Sequence, residues 1–283
     1  MTFRIVVGID GSHDSLAALR WADSFAAVQR DQGRQTSLLA VKCWQPPSAL
    51  GLDVFAITPN EIWQERAQDL LTESLQRSGV SGCKAMIRRG PAASTLLDVA
   101  GEVDAGLIVA GVRSGQVLEK FLLGSVSRRL ASNGKRPVAV VPLNAPNFGA
   151  PTVVGFDGSD GSQEALRWAI DHCEGEVRPM MAWHLPAAFS TRDNCVDVTV
   201  VERGHEERLA NGVRAALEVV PSRVNPLLRF DGARPMLVRT GDAAQVVVGS
   251  HRHRGATNML VGSVAAYVAA HAPTAVIIVP PQG

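Results

Sequence analysis

Ala110-Gly-Val-Arg-Ser-Gly-Gln-Val-Leu-Glu-Lys-Phe-Leu-Leu-Gly124-Ser125 is the stretch from which the rest of the 283-residue chain can be read. It follows the apolar run Leu107–Ala110 and stops where a helix is expected to begin. A second version lies downstream: Gly249-Ser-His-Arg-His-Arg-Gly-Ala-Thr-Asn-Met-Leu-Val-Gly262-Ser263, after the run Gln245–Val248. In both, the first glycine and the Gly-Ser pair stand thirteen positions apart (111 to 124, 249 to 262). A strand, a glycine-flanked loop and a serine-headed helix together make a cradle for a phosphate. Glycine lets the backbone approach an anion, and the unpaired amides of a helix N-terminus point at it.

Working outward, the whole chain repeats. Val6-Val-Gly-Ile-Asp10-Gly-Ser12 recurs as Val153-Val-Gly-Phe-Asp157-Gly-Ser159, and Ala18-Leu-Arg-Trp21-Ala22 recurs as Ala165-Leu-Arg-Trp168-Ala169, at a constant offset of 147 (159 minus 12). At the glycine loops the offset is 138 (249 minus 111), so the second copy is nine residues shorter in its middle. Repetition over this length sets the architecture before any element is assigned. Leu143–Pro151, with two prolines, reads as the linker, which gives domains at 1–143 and 151–283.

Within each copy, apolar runs alternate with helix-like stretches, the pattern of parallel strands joined by crossover helices. Strands are expected near Phe3–Ile9, Thr36–Trp44, Lys84–Arg88, Leu107–Ala110 and Val138–Val141. The second copy places them near Thr152–Phe156, Val177–Trp183, Pro226–Arg229, Gln245–Val248 and Val276–Val279. Helices are expected from Ser12 to about Arg30, from Thr58-Pro59 to near Gly79, over Ala92–Ala100 and over Val126–Asn133. Ser12 suits an N-cap, and so does Thr58 before a proline at the first helical position. Runs such as Leu107-Ile-Val-Ala and Val276-Ile-Ile-Val are apolar at every position, as strands covered on both faces must be. The fold class is therefore α/β: two tandem doubly wound, Rossmann-like domains, each with a five-stranded, mostly parallel sheet. In such sheets the ligand crevice lies beyond the strand carboxyl ends where the winding reverses, which is where Asp10, Asp157 and both glycine loops fall.

Composition narrows the classes of function. The chain holds 28 basic and 27 acidic residues, which removes the electrostatic footprint of a nucleic-acid binder. Apolar runs of about 5 to 8 residues fall well short of the ~20 that span a bilayer, so no membrane partner is expected. The N-terminus meets Gly8 and Asp10 too early for a secretion signal, and a cytoplasmic protein is expected. Cys43, Cys83, Cys173 and Cys195 show no metal-like spacing and read as buried or half-buried thiols. His251 and His253 read as a loop rather than a metal site. Trp21 and Trp168, mid-helix in the repeat, read as core. No Gly-x-x-x-x-Gly-Lys-Ser/Thr, Gly-x-Gly-x-x-Gly after the first strand, or Gly-x-Ser-x-Gly is present. Ser125 and Ser263 also have a plainer reading as N-caps, and Asp10 and Asp157 as acceptors for their own turn amides.

These residues resemble the universal stress protein family in its tandem form, and the resemblance covers essentially the whole chain. ATP-binding members carry Gly, two residues, Gly, nine residues, then Gly and Ser or Thr. Here Gly111 with Gly124-Ser125 and Gly249 with Gly262-Ser263 match. The middle glycine position holds Ser114, with Gly115 next, in the first copy and Arg252 in the second. The resemblance implies that Asp10 and Asp157 meet the adenosine end of a nucleotide, and that Val41 and Met180 line the adenine pocket. It further implies that Gly111 and Gly249 admit ribose and phosphate, while Gly124-Ser125-Val126 and Gly262-Ser263-Val264 present amides and a hydroxyl to the phosphates. Arg252 could pair with phosphate oxygens. The function implied is an ATP-binding, Mg²⁺-assisted stress-response sensor or regulator, with at most slow ATPase activity. Two alternatives stand beside it: a nucleotide-free interaction scaffold, and an ATPase or adenylyl-transferring enzyme using Arg252 or Arg254. In this family the last strand pairs domains, so Val138–Val141 and Val276–Val279 are expected to pair the two halves within the chain, with a homodimer as a further option.

Overall fold

The computed structural model describes residues 2–46, 60–112, 123–133, 135–146, 148–185, 197–250 and 262–281. Ser114, Gly115, Arg252, Arg254, His251, His253, Cys195 and the Thr58-Pro59 pair lie outside the described residues. The chain divides into two compact units, Met1–Ala145 and Pro146–Gly283.

Unit 1 runs β1 (Phe3–Gly8), α1 (His13–Asp31), β2 (Thr36–Trp44), α2 (Asn60–Ser78), β3 (Lys84–Arg89), α3 (Ala92–Glu102), β4 (Leu107–Gly111), α4 (Ser125–Asn133) and β5 (Val138–Val141). All pairings among these strands are parallel, in the spatial order β3-β2-β1-β4-β5. Helices α1 and α2 pack together on one face, and α3 and α4 on the other. The winding therefore reverses between β1 and β4, which leaves a crevice at their carboxyl ends. Strand β4 is buried along Leu107–Ala110 and β5 along its whole length, because helices cover both faces. Helix α1 is amphipathic, with Ala18, Leu19, Ala22 and Phe25 buried on the sheet. Trp21, 5 % exposed, stacks on Phe25 with ring centroids 5.3 Å apart. Ser12 caps α1 as expected, accepting from the Ser15 amide at 3.2 Å.

Unit 2 repeats the order with β6 (Thr152–Gly155), α5 (Asp160–His172), β7 (Val177–Trp183), α6 (Val198–Ala216), β8 (Leu227–Phe230), α7 (Ala233–Val238), β9 (Gln245–Gly249), α8 (Ser263–His271) and β10 (Ala275–Val279). Its strands lie in the order β8-β7-β6-β9-β10, again all parallel. Ser159 caps α5 through the Ser162 amide, and Trp168 packs in the core at 8 % exposure, stacked on His172. Register shows where the copies diverge. Gly8 pairs with Val41 but Gly155 with Met180, so the gap shrinks from 33 residues (41 minus 8) to 25 (180 minus 155). Eight of the nine missing residues are thus lost around the first crossover helix, where α5 has 13 residues against 19 in α1. Strand β8 begins at Leu227 rather than at the expected Pro226, which has no N–H to donate. Among the described residues no helix is long and apolar enough to cross a membrane.

Candidate functional site

In unit 1 the switch-point crevice has a volume of about 500 Å³ and is walled by the ends of β1, β2 and β4 and the starts of α3 and α4. Of the expected residues, Asp10, Val41, Gly111 and Val126 line it; Gly124 and Ser125 stand at the head of α4, beside the described wall. Asp10 Oδ1 accepts the Ser12 amide at 2.9 Å, closing the turn that leads into the α1 cap. The plainer reading of this aspartate is thus realised for one oxygen, while the residue still faces the crevice. Gly11 follows at φ +93°, a conformation that favours glycine. Lys42 Nζ donates to the Asp10 carbonyl at 3.2 Å. Burial pulls the Lys42 pKa below the ordinary lysine value, and the Asp10 charge nearby offsets part of that.

Gly111 has a structural reason to be glycine that sequence reading missed. A Cβ there would lie 2.8 Å from Cβ and the carbonyl carbon of Asp14, in the first turn of α1. At Gly249 the corresponding Cβ would collide with the Gly161 carbonyl and sit 2.9 Å from the Ser162 amide. Both glycines let a crossover helix pack against the end of the fourth strand of its unit, whatever else occupies the crevice. The Ser127 hydroxyl donates to the Gly111 carbonyl at 2.6 Å, tying the first turn of α4 to the same point. The Gly124 amide bonds the Val112 carbonyl at 2.8 Å.

Unit 2 brings together every expected residue that is described: Asp157, Met180, Gly249, Gly262, Ser263 and Val264 all line a crevice of about 750 Å³. Asp157 repeats the turn of Asp10, accepting the Ser159 amide at 2.9 Å. The serine-headed helix is corrected in detail. Gly262 is the N-cap of α8, with φ −54° and ψ 149°, and supplies no side-chain cap; Ser263 is the first helical residue. The first intrahelical bond runs from the Ala266 amide to the Gly262 carbonyl at 2.9 Å. Among the described residues, the amides of Ser263, Val264 and Ala265 have no acceptor, and all three residues line the crevice. Ser263 is therefore not an N-cap.

The two crevices differ at residues that the motifs did not single out. Val41 and Cys43 alternate onto one face of β2, as a strand period of two requires, and their counterparts on β7 are Met180 and Ala182. Ser127 likewise corresponds to Ala265 in the repeat. Burial pushes the Cys43 thiol up to about 11, with Lys42 opposing the shift, and its Sγ lies 3.8 Å from the Ala92 carbonyl. Cys83, at about 11, and Cys173, at about 12, are raised by the same cause, and the three described cysteines are free thiols. Among the described residues no group of three or more His, Cys, Asp or Glu side chains is placed to hold a metal ion.

The fold and the paired crevices define a tandem doubly wound α/β protein with one switch-point cleft per unit. The family model for universal stress proteins matches residues 1–142 and again 151–280. The chain belongs to the universal stress protein family, in tandem form. It is 30 % identical to a universal stress protein of Mycolicibacterium smegmatis over 297 residues, covering 99 % of this chain and 98 % of that one. A Mycobacterium tuberculosis universal stress protein is 31 % identical over 293 residues, with 97 % and 95 % covered. Among solved structures, a universal stress protein from Archaeoglobus fulgidus superposes with a TM-score of 0.67 at 18 % identity, covering 99 % of this chain and 98 % of that one.

Proposed function

We propose that each unit binds an adenine nucleotide, ATP with Mg²⁺, in its switch-point crevice, and that the protein is a cytoplasmic stress-response sensor or regulator with at most slow hydrolysis. The observation that carries this reading is the head of α8. Three amides without acceptors among the described residues belong to residues that line a crevice with Met180, Ala182, Met236 and Leu237, and anions bind at such ends because partial positive charge gathers there. Met180 and Val41 would face the base, and the carboxylates of Asp10 and Asp157 the ribose hydroxyls. Gly124-Ser125-Val126 and Gly262-Ser263-Val264 would hold the phosphates. Gly115 and Arg252 enter through the resemblance alone. Mg²⁺ commonly keeps several waters and is held through substrate phosphates, and so would arrive with the nucleotide. Slow hydrolysis fits Asp10 and Asp157, each of which has a carboxylate oxygen held by a turn amide rather than placed for water. Pairing of the two halves through their last apolar runs belongs to the same reading on sequence grounds.

A substitution at the first helical position tests it. Ser263→Pro removes one amide donor while suiting a helix start, and the extended ψ of Gly262 is compatible with a following proline. Ser263→Ala removes only the hydroxyl. A charge-assisted bond of about 1.5–3 kcal/mol predicts that the proline variant binds Mg-ATP at unit 2 ten- to a hundredfold more weakly than the alanine variant. Equal affinities, measured calorimetrically, overturn the assignment of the phosphates to this helix end.

A further inference from the structure

A second cavity in unit 2, of about 690 Å³, lies on the α7 side of β7 and β8 and shares Met180 and Met236 with the crevice. The duplicated unit shows what differs at this place. In unit 1, β3 sets Arg88 beside Cys43, and α3 runs far enough for Glu102 to meet that guanidinium at 2.7 Å. In unit 2, Arg229 takes the matching place beside Ala182, but α7 stops at Val238 after six residues, without a counterpart of Glu102. The acids that line the groove pair with other arginines of its wall: Asp242 with Arg178 at 2.6 Å, and Asp231 with Arg239 at 3.3 Å, Asp231 also accepting the Gly232 amide at 2.7 Å. Arg229 is exposed, and its guanidinium has no hydrogen-bond or ion-pair partner among the described residues. The lining of the groove is mixed: Val153, Met180, Leu227 and Met236 form an apolar part, and the paired Arg178 and Asp242, Arg239 and Asp231 form a polar part.

We propose that this groove is a binding site for a small amphipathic organic anion, its apolar body laid on the Val153-Leu227-methionine cluster and its carboxylate or other acid group on Arg229. A guanidinium without a side-chain partner beside a cluster of apolar side chains favours that pairing over a neutral apolar molecule, which leaves the cation unpartnered, and over inorganic phosphate, which leaves the apolar cluster wet. The groove adjoins the nucleotide crevice through Met180 and Met236, but Arg229 has no part in the nucleotide reading, so Arg229→Gln separates the two.

Sodium octanoate is the probe, titrated calorimetrically into the full chain, with 1-octanol as the uncharged control. One saturable octanoate site per chain is expected, with octanol at least tenfold weaker. Arg229→Gln should cost at least tenfold in octanoate affinity, and Arg88→Gln, at the position of unit 1 already paired with Glu102, should change nothing. Absence of saturable octanoate binding, octanol binding as tightly as octanoate, or an Arg229→Gln variant with unchanged affinity each overturns the proposal. Arg229 is exposed, so its replacement should leave the fold intact, and Arg229→Lys, which keeps a cation, should retain the octanoate binding that Arg229→Gln loses; equal loss in both variants overturns the charge pairing.

Discussion

Replacing Gly111 by Ala tests whether the loop glycines are dictated by the fold before any ligand is considered. The added Cβ would lie 2.8 Å from the Asp14 carbonyl carbon and Cβ and 2.9 Å from its oxygen, where ordinary contacts begin at 3.4 Å. The first turn of α1 would have to retreat by about 0.6 Å, and that turn is pinned by the Ser12 cap and by the buried contacts of Leu16 and Leu19. Overpacking of this kind costs about 1–3 kcal/mol, and backbone against a capped helix belongs at the upper end. With a urea slope of about 2 kcal/mol/M, the unfolding midpoint of unit 1 should fall by on the order of 1 M. Gly249→Ala, whose Cβ meets the Gly161 carbonyl still more closely, should cost unit 2 more. Tryptophan fluorescence during urea unfolding reports both, since Trp21 and Trp168 are buried in the two helices that must move. Gly101 supplies the control: nothing lies within 4 Å of its Cβ, and Ala there should stabilise α3 by up to about 1 kcal/mol. Wild-type midpoints for Gly111→Ala and Gly249→Ala, combined with weakened nucleotide binding, would refute the packing argument and assign these glycines to the ligand alone.

Two further outcomes follow from the crevice chemistry. Asp157→Asn keeps an oxygen for the Ser159 amide but removes the charge, so stability should hold within ~0.5 kcal/mol while Mg-ATP affinity at unit 2 falls about tenfold, read by parallel melts and calorimetry. Cys43, with its thiol pushed up to about 11, should be alkylated by iodoacetamide far more slowly at pH 8 than a free cysteine; the rate should rise about tenfold per pH unit from 7 to 9, because only the thiolate reacts. Peptide mass mapping with and without Mg-ATP follows this cysteine alone, and a rate that levels off near pH 8 would contradict the burial.

Much of this architecture was legible because duplication makes each half a check on the other. The doubly apolar runs of β4 and β10, the caps at Ser12 and Ser159, and the core tryptophans all follow from local pattern. Element ends were less visible. Whether a serine after glycine caps a helix or opens it depends on the backbone angles of Gly262, which residue type does not reveal, and Ser263 lies one place inside. The tertiary reasons were hidden altogether. The need for glycine at 111 and 249 comes from helices about a hundred or fewer residues earlier in the chain, and the Lys42 contact with Asp10 joins two strands through a turn. The shortness of α7, which leaves Arg229 without a counterpart of Glu102, has no composition signal beyond Pro235 within six residues.

The central claim is that the first-turn amides at the Gly-Ser helix heads receive the phosphates of a nucleotide, and titration of the unaltered chain with Mg-ATP against adenosine addresses it most directly. The account predicts saturable Mg-ATP binding at two sites per chain, with adenosine much weaker because it leaves those amides unanswered. No binding at millimolar nucleotide, or adenosine binding as tightly as Mg-ATP, would contradict it.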